Sequence, residues 1–476
     1  MAENETGRDI EWTPRMVKGA GPLYLTIADA IEADIRAGAL RHGDRLPPQR
    51  ALAERLGIDF TTVSRAYAEA RRRVLVEGRV GMGTFVQASG AKPAPAMAGS
   101  SAASASASGI VDLTMNFPPR MADAALTSRL WAEVAGLEAT GGMDLLLRYQ
   151  EVGGTRADRE AGVQWLAPCL PDLASDRLVI TPGAQGALLA LLTLFRHPDR
   201  PVAVEALCYP GFRSLAGHMG AALMPVAMDG DGLIPEDLAA QCARHPPALL
   251  CCTPNLHNPT TATIPLKRRE AIAAIAREYD LTILEDDAYG RLAGNGLPPL
   301  AALAPERTYH IASLSKALAP ALRMAYVACP DARGAARLTG AVRATTSMAS
   351  PLGAAIATRW IETGLAEQTL NAIRAETEAR QALAHRLLGQ DGLRSDPRAY
   401  HAWLPLDHGW SRGDFASRLR HAGIGVVTSD AFAIGSAPEA LRIGFAAPLE
   451  RATLETGLRE IADLACQSPT LANLIV

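Results

Sequence analysis

A lysine in the stretch Ser313–Lys316 is the residue of this 476-residue sequence best suited to covalent chemistry. It follows an apolar run, so we expect it at the end of a buried strand, where burial and neighbouring cations lower the pKa of an amine. Such an amine forms Schiff bases with carbonyl compounds. Ser313, Ser315 and Arg323 supply donors for a phosphate dianion. Taken alone, the pattern also fits an ordinary surface lysine beside serines.

Two other stretches add groups that suit a phosphorylated ring. Thr181–Gln185 joins a predicted strand to a predicted helix, whose free N–H groups and dipole favour a phosphate, although any βα turn that needs glycine has the same appearance. Asp286 ends an apolar run, where its carboxylate could pair with a protonated pyridine nitrogen. The three adjacent acids Glu285–Asp287 are also typical of a solvated loop.

Three more side chains could contact the ring itself. Asn258 and Tyr289 could donate hydrogen bonds to a ring oxygen, and Tyr209 could stack on a ring face. Each of these residues is also common in ordinary loops and cores. Their joint occurrence, in this order along the chain, favours a binding site over chance.

The elements that must position these residues are short apolar runs alternating with helical patterns. This alternation predicts a mainly parallel α/β sheet covered by helices on both faces. Ligands bind such sheets at the loops that follow the carboxyl ends of the strands. The predicted strands are 178–181, 202–205, 249–253, 282–285, 310–313 and 324–328, and the predicted helices are 184–195, 268–279 and 353–362.

Together these residues resemble the fold-type I pyridoxal-phosphate aminotransferases, and the resemblance covers roughly Ile110 to the C-terminus. It implies pyridoxal 5′-phosphate as the cofactor, Lys316 as its covalent attachment point and Asp286 as the partner of its pyridine nitrogen. It further implies that Asn258 and Tyr289 contact the ring hydroxyl oxygen, that Tyr209 stacks on the ring, and that the phosphate is held by Ala184, Gln185, Ser313, Ser315 and Arg323.

The same resemblance assigns roles to two distant residues. Tyr149 is similar to the tyrosine that reaches a partner subunit's phosphate, and Arg442 to the arginine that clamps an amino acid's carboxylate. A salt bridge near a strand would also explain Arg442. The sequence departs from the family where Asn-Pro-Thr-Gly becomes Asn258–Thr261 and where Glu205–Cys208 replaces an acidic-proline turn. These departures bear on turnover more than on cofactor binding.

The N-terminal part predicts a winged helix-turn-helix, mainly α with a β-hairpin wing. Ile27, Ile31 and Ile35 share one face of a first helix, a second helix spans 49–56, and a third begins near Thr61. Short β runs at 74–76 and 84–86, joined by a Gly-rich turn, form the wing. We expect Val63, Ala66, Tyr67 and Ala70 to face inward.

This module resembles the GntR-type DNA-binding domains, from Pro22 to Val86. Arginines and hydroxyl groups on such a module reach phosphates and base edges. A solvated helix surface would explain the basic run Arg71–Arg73 equally well. The resemblance implies DNA contacts from Arg50, Thr61, Thr62, Arg65, Gly83 and Thr84.

The composition places both modules in one soluble chain. Hydrophobic content of 48% and charged content of 20% are typical of globular domains. A net charge of −3 requires any DNA affinity to come from a local basic surface. The Ala/Ser/Gly/Pro-rich stretch 88–109 predicts a flexible linker between a DNA-binding domain at 18–87 and an aminotransferase-like domain at 110–476. Seven scattered cysteines and the polar N-terminus predict reduced thiols in a cytoplasmic protein with no membrane segment and no metal site.

Both resemblances in this order match the MocR subfamily of GntR-type transcription regulators. The subfamily resemblance implies a homodimer that reads double-stranded DNA and senses an amino acid, an amine or the cofactor itself. Two alternatives remain open. One is a working aminotransferase with a DNA-binding appendage, and the other is a regulator whose C-terminal domain is a cofactor-free dimerisation scaffold.

Overall fold

The computed structural model describes residues 12–14, 23–41, 43–73, 75–79, 83–86, 110–140, 142–389, 392–407 and 409–467. The chain divides into two compact units, Met1–Ser100 and Ser101–Val476. The predicted linker at 88–109 lies outside the described residues. No helix in the described ranges is long and apolar enough to cross a membrane.

Three helices and a small antiparallel sheet form the N-terminal unit. The helices are α1 Leu23–Arg36, α2 Gln49–Leu56 and α3 Phe60–Arg72, and the strands are β1 Arg45–Leu46, β2 Val76–Arg79 and β3 Gly83–Val86, in the order β1-β3-β2. Gly57 ends α2 in the left-handed conformation, and Asp59 begins α3 by accepting a hydrogen bond from the Thr61 N–H at 2.7 Å. The predicted helix-turn-helix and hairpin are confirmed, with the first strand of the hairpin starting at Val76.

The core of this unit is the predicted one. The side chains that periodicity placed inward are buried: Ile27, Ile31, Ile35, Val63, Ala66, Tyr67 and Ala70. The buried Tyr67 hydroxyl donates to the Pro47 carbonyl at 2.8 Å, which ties α3 to the start of α2. Arg73 pairs with Asp29, Glu32 and Glu69, so the last residue of the basic run joins α1 to α3.

The C-terminal unit alternates strands and helices along most of its length. Its strands are β4 Val111–Asp112, β5 Leu178–Thr181, β6 Val202–Glu205, β7 Leu223–Val226, β8 Met228–Asp229, β9 Gly232–Leu233, β10 Leu249–Cys252, β11 Thr282–Asp286, β12 Thr308–Ser313, β13 Ala325–Ala328, β14 Arg394–Ser395, β15 His401–Pro405, β16 Ile424–Gly425, β17 Val427–Thr428 and β18 Ala440–Gly444. Its helices are α4 Ala124–Thr140, α5 Asp144–Leu147, α6 Arg156–Leu166, α7 Gly183–Phe195, α8 Pro210–His218, α9 Pro235–Arg244, α10 Leu266–Glu278, α11 Gly290–Ala293, α12 Leu300–Leu303, α13 Leu314–Ala317, α14 Ala332–Thr345, α15 Pro351–Glu362, α16 Leu365–Leu388, α17 Arg412–His421 and α18 Arg451–Ala465.

A seven-stranded sheet in the order β5-β13-β12-β11-β10-β6-β7 forms the centre of this unit. All its neighbours pair in parallel except at β13, which is antiparallel to both β12 and β5. The mainly parallel sheet and its six predicted strands are confirmed. The seventh strand, β7, was missed because Pro225 lies inside it, and proline is tolerated there only because β7 is an edge strand.

A smaller antiparallel sheet, β14-β15-β18-β17, lies in the same unit. The segment that begins at Ile110 is joined to this sheet through Leu113, whose carbonyl accepts from the Gly444 N–H of β18 at 2.7 Å. Just before it, β4 pairs in parallel with β16 in a separate two-stranded sheet. Leu113 is fully buried among the side chains of this smaller sheet and its helices. The residues that directly follow Leu113 are thereby held at a fixed place in the unit.

All seven cysteines are free thiols, and they differ in exposure. Cys208, Cys242, Cys251, Cys252 and Cys329 are buried, Cys169 is half-buried, and Cys466 is exposed after α18. Burial raises the pKa of Cys169 to about 12 and that of Cys251 and Cys252 well above the usual range. The adjacent Cys251 and Cys252 therefore behave as small apolar core residues.

Gly162 lies where α6 packs closely against the large sheet. A methyl group there would lie 2.4 Å from a Leu178 side-chain carbon and 2.6 Å from the Tyr326 ring. We expect Gly162→Ala to lower the free energy of unfolding by about 1–3 kcal/mol, as overpacked cores do. Chemical unfolding followed by circular dichroism measures this change.

Gly340→Ala on α14 is the matched control, because that position faces open space. It should leave stability unchanged or raise it by about 0.5–1 kcal/mol through helix propensity. Equal effects of the two substitutions would contradict the packing described for α6.

Candidate cofactor site and DNA-binding surface

A cavity of about 350 Å³ opens at the carboxyl edge of the large sheet. It gathers all the predicted cofactor and carboxylate residues except Tyr149, whose side chain is 90% exposed. The gathered residues are Ala184, Gln185, Tyr209, Asn258, Asp286, Tyr289, Ser313, Ser315, Lys316, Arg323 and Arg442. The cavity wall also contains residues that the sequence did not single out, among them Thr114, Met115 and Asn116.

Lys316 lies on the short helix α13, directly after β12, as predicted. Burial and the positive charge of Arg442 lower the pKa of Lys316 to about 8, against the opposing effect of Asp286. Its Nζ donates to the backbone carbonyl of Asn116, and the backbone carbonyl of Lys316 accepts from the Tyr400 hydroxyl. The amine is therefore held in the cavity and is partly neutral near physiological pH.

Asp286 ends β11 with its side chain buried in the cavity wall. Burial and the neighbouring Asp287 raise its pKa to about 7, against the opposing charges of Lys316 and His310. Its Oδ1 is buried and has no hydrogen-bond partner among the described residues. A buried carboxylate oxygen without a donor is costly, and an N–H group of a bound ring would satisfy it.

The two acids beside Asp286 are compensated within the protein. Burial works against the charge of Glu285, but His310 at 2.9 Å and the backbone N–H groups of α12 lower its pKa. Asp287 accepts from Asn255 at 2.8 Å, and Arg269 donates to the same Asn255 at 2.7 Å. The alternative of a solvated acidic loop is wrong, because all three acids are buried, and Asp286 keeps a buried oxygen without a hydrogen-bond partner among the described residues.

The phosphate end of the cavity lies at the N-terminus of α7. Gly183 begins this helix at φ +74°, and the hydroxyl of Ser313 accepts from the Ser315 N–H at 3.3 Å. Arg323 is exposed and also has positive φ, at +47°. The Gln185 side chain donates instead to the Gly211 carbonyl at 2.9 Å, so its backbone N–H is the group better placed for an anion.

Arg442 on β18 faces the other side of the cavity. Its Nη1 donates to Asn258 Oδ1 at 3.0 Å and its Nη2 to the backbone carbonyl of Thr114. The guanidinium lies 5.2 Å from the centre of the Phe432 ring, and its Nε has no partner in the described part of the chain. Two of the five N–H donors of this guanidinium are thus occupied by protein acceptors.

The departure from the family motif at Thr261 has a visible consequence. Thr261 has φ +61°, in the left-handed region that favours glycine. A β-branched residue is strained in that region, at a cost of order 1–3 kcal/mol. The Thr261 N–H still donates to the His257 carbonyl at 2.7 Å, so the loop that presents Asn258 keeps its shape.

The residues that sequence reasoning missed surround Tyr289. Asn116 Nδ2 lies 2.9 Å from the Tyr289 hydroxyl and 3.2 Å from Nδ1 of the buried His401. Asn116 belongs to an irregular segment with no periodicity, and His401 begins a strand far along the chain. Only the fold brings them together, so no local signal could have identified them.

The residues predicted to contact DNA differ in exposure within the N-terminal unit. Arg50, Thr61, Arg65 and Gly83 are exposed, whereas Thr62 and Thr84 are half-buried. The guanidinium of Arg65 lies 4.7 Å from the centre of the Tyr24 ring, and that of Arg50 lies 5.8 Å from the Phe60 ring. Stacking of this kind restricts the arginines to few orientations.

Gly83, at φ +119°, begins the second strand of the wing. A methyl group on Gly83 would lie 2.6 Å from Arg45 Nε, so the glycine lets the Arg45 side chain cross the hairpin. The Arg45 guanidinium therefore lies beside the hairpin of the wing.

The sequence matches two known protein families. Residues 108–461 match the family described as "Aminotransferase class I and II", and residues 23–86 match "Bacterial regulatory proteins, gntR family". The first match spans more than half of the chain, which therefore belongs to the class I and II aminotransferase family. With the GntR module ahead of it, the chain has the MocR pattern of transcription regulators, and that prediction is confirmed.

Curated relatives share this arrangement over nearly their whole length. The HTH-type transcriptional regulator YdeF of Bacillus subtilis is 29% identical over 451 residues, covering 94% of this chain and 96% of the relative. The vitamin B6 salvage pathway transcriptional repressor PtsJ of Salmonella typhimurium is 28% identical over 428 residues, covering 89% and 94%. The kynurenine aminotransferase of Pyrococcus horikoshii shares the fold, with a TM-score of 0.69 and 21% identity over 76% of this chain and 92% of its own.

The cofactor of this family is pyridoxal 5′-phosphate, as predicted, and the cavity fits it. When bound, it supplies an aldehyde that captures amines and a ring that withdraws electrons. Lys316 would hold the aldehyde carbon, and Asp286 Oδ1 would receive the ring N–H. The start of α7 and Arg323 would hold the phosphate.

The rate of covalent cofactor capture should depend on the charge of Lys316. Only the neutral amine attacks an aldehyde, and the pKa of Lys316 is lowered to about 8. Lys316 is charged below that pH and neutral above it, so the rate should rise with pH through about 8. Stopped-flow absorbance after mixing with pyridoxal phosphate, from acidic to basic pH, measures this.

The Lys316→Ala variant is the control. It should fold but show no visible absorption from covalently bound cofactor. A midpoint near the ordinary lysine pKa, or unchanged capture by the variant, would contradict the assignment of Lys316.

Proposed function

We propose that this transcription regulator senses a small amine or amino acid, or pyridoxal phosphate itself, at the Lys316–Arg442 cavity and changes its DNA binding in response. One observation carries the proposal. Lys316 donates to the carbonyl of Asn116 and Arg442 donates to the carbonyl of Thr114. These two carbonyls belong to the segment that begins directly after the linker to the DNA-binding domain.

The last three residues of the segment 110–116 line the cavity. Its carbonyls occupy the two cations that a cofactor and a ligand carboxylate would take. A ligand that engages Arg442 competes for the donor that now holds Thr114, and the cofactor competes for the amine that now holds Asn116. Binding at either position changes the stability of the segment's contacts and so biases the linker that it continues.

The chemistry of the cavity supports an effector with an amine and a carboxylate. Lys316 suits exchange with primary amines, and Arg442 suits a carboxylate. The relative PtsJ is a vitamin B6 salvage pathway transcriptional repressor, which supports pyridoxal phosphate as the other candidate effector.

We further propose a cytoplasmic homodimer, which carries two DNA-binding domains. Five large apolar side chains are exposed between α4 and the start of α6: Trp131, Met143, Leu146, Leu147 and Tyr149. We propose that a second copy covers these side chains and that Tyr149 reaches the partner's cavity, as the resemblance implies. The two DNA-binding domains would then read half-sites about 34 Å apart or at multiples of that distance.

Effector binding should appear in the visible spectrum of the protein loaded with pyridoxal phosphate. Among a panel of amines and amino acids, one class should shift the absorption band without continuing formation of a keto acid. Arg442→Gln should weaken binding of carboxylate-bearing members about tenfold to a hundredfold, the value of a hydrogen bond to a charged group.

Arg459→Gln, on the exposed face of α18, removes an equal charge away from the cavity and should leave the response unchanged. Continuing conversion of amino donors to keto acids would instead identify an aminotransferase with a DNA-binding appendage. Unaltered binding by Arg442→Gln would refute the carboxylate clamp.

DNA binding should depend on the stacked arginine of α3. With a duplex selected from a random library by the wild-type protein, Arg65→Ala should reduce affinity by about 1–3 kcal/mol and lower the salt slope by about one. Fluorescence anisotropy at several salt concentrations measures both.

Arg343→Ala, exposed on α14 of the C-terminal unit, is the charge-matched control and should bind as the wild type does. If both variants lost affinity equally, the loss would reflect net charge and not a contact made by Arg65.

A further inference from the structure

The side-chain amide of Asn116 lies between two aromatic residues at the cavity wall. Its Nδ2 is 2.9 Å from the Tyr289 hydroxyl and 3.2 Å from His401 Nδ1, while its Oδ1 is buried without a partner among the described residues. The orientation of this amide decides which polar atoms face a ligand. The groups around it determine that orientation.

The tautomer of His401 follows from its other contact. His401 Nε2 lies 3.1 Å from the His257 backbone carbonyl, which can only accept. Nε2 therefore carries the proton. Burial and the charge of Arg442 lower the pKa of His401 to about 3, so the ring is neutral and Nδ1 is an acceptor.

An acceptor at His401 Nδ1 fixes the amide of Asn116. The amide nitrogen donates one hydrogen to His401 and the other to the Tyr289 oxygen. A flipped amide would put Oδ1 against the lone pair of Nδ1 and leave both N–H groups without these acceptors. The observed orientation leaves a single acceptor unpaired, so it is the more stable arrangement.

The hydroxyl of Tyr289 is oriented as a consequence. It accepts from Asn116, so its own proton cannot point along that bond. Burial raises the pKa of Tyr289, which keeps this proton in place at neutral pH. Tyr289 lines the cavity, so the free hydroxyl proton is available to an oxyanion inside it.

We propose that Asn116, oriented by His401, is a positioning residue that fixes Tyr289 as a hydrogen-bond donor to the ring oxygen of the bound cofactor. In the flipped amide, Oδ1 would compete for the Tyr289 proton, and the donor to the ring would be lost. His401 is the group that excludes this state. The inference rests on the proposed binding of pyridoxal phosphate to this cavity.

The pH dependence of the cofactor's visible absorption tests the inference without any measurement of activity. The ring oxygen of the bound cofactor holds a proton more tightly when fewer hydrogen-bond donors stabilise its anion. The pH midpoint of the change in visible absorption should therefore rise when Tyr289 ceases to donate. Tyr289→Phe defines the full rise. Asn116→Leu removes the amide donor and should also raise the midpoint, by about half a pH unit or more. One pH unit corresponds to about 1.4 kcal/mol.

A double-mutant cycle separates this role from a merely structural one. If Asn116 acts through Tyr289, Asn116→Leu should not move the midpoint further in the Tyr289→Phe background. His401→Leu should raise the midpoint as Asn116→Leu does, whereas His401→Gln, whose carboxamide oxygen can accept, should raise it less. The thermal unfolding midpoint of each variant shows that the chain is folded.

The outcomes are distinct. A wild-type protein with no visible band would overturn cofactor binding and this inference with it. A wild-type band whose midpoint is the same in the folded Asn116→Leu and His401→Leu variants would overturn the inference alone. So would equal shifts from Asn116→Leu with and without the Tyr289 hydroxyl.

Discussion

Three consecutive carboxylates buried at the end of one strand constrain the rest of the large domain. Burying an uncompensated charge is expensive, so each acid needs its own partner. Glu285 is matched by His310 and the start of α12, and Asp287 by the network through Asn255. Asp286 is left with an unpaired oxygen in the cavity. The surrounding strands and loops therefore satisfy two of the acids internally and leave one oxygen of the third without a partner in the described part of the chain.

The cavity is formed by segments that are distant in the chain. The lysine comes from the end of β12, the arginine from β18 of the smaller sheet, and the backbone carbonyls from the segment after the linker. Because Leu113 is buried beside the smaller sheet, Thr114 cannot move without disturbing β4 or its neighbours. The lysine and the arginine suit the chemistry of an aminotransferase, whereas the backbone carbonyls belong to the segment on which the proposed sensing mechanism depends.

Local patterns in the sequence predicted most of the fold and most of the cavity, because strand ends, helix starts and glycine turns leave marks within a few residues. The six predicted strands of the sheet and the residues at their ends are of this kind. The strand β7 was not predicted because it contains Pro225, a residue that its edge position tolerates. The sequence did not predict Asn116 and His401 as site residues, because their roles depend on contacts with each other and with Tyr289. A solvated loop stayed open as an alternative for the three acids because their partners, such as His310 and Asn255, are not adjacent in sequence.

The uneven exposure of the thiols has a practical consequence. Cys466, just beyond α18 beside the smaller sheet, is exposed, while the other cysteines are enclosed in the interior or partly so. A maleimide dye added briefly at neutral pH would therefore attach at this position in the natural sequence, with no cysteine to remove. The label would sit on the part of the C-terminal unit that carries Arg442, so single-molecule fluorescence could follow its motion while ligand and DNA are exchanged around it.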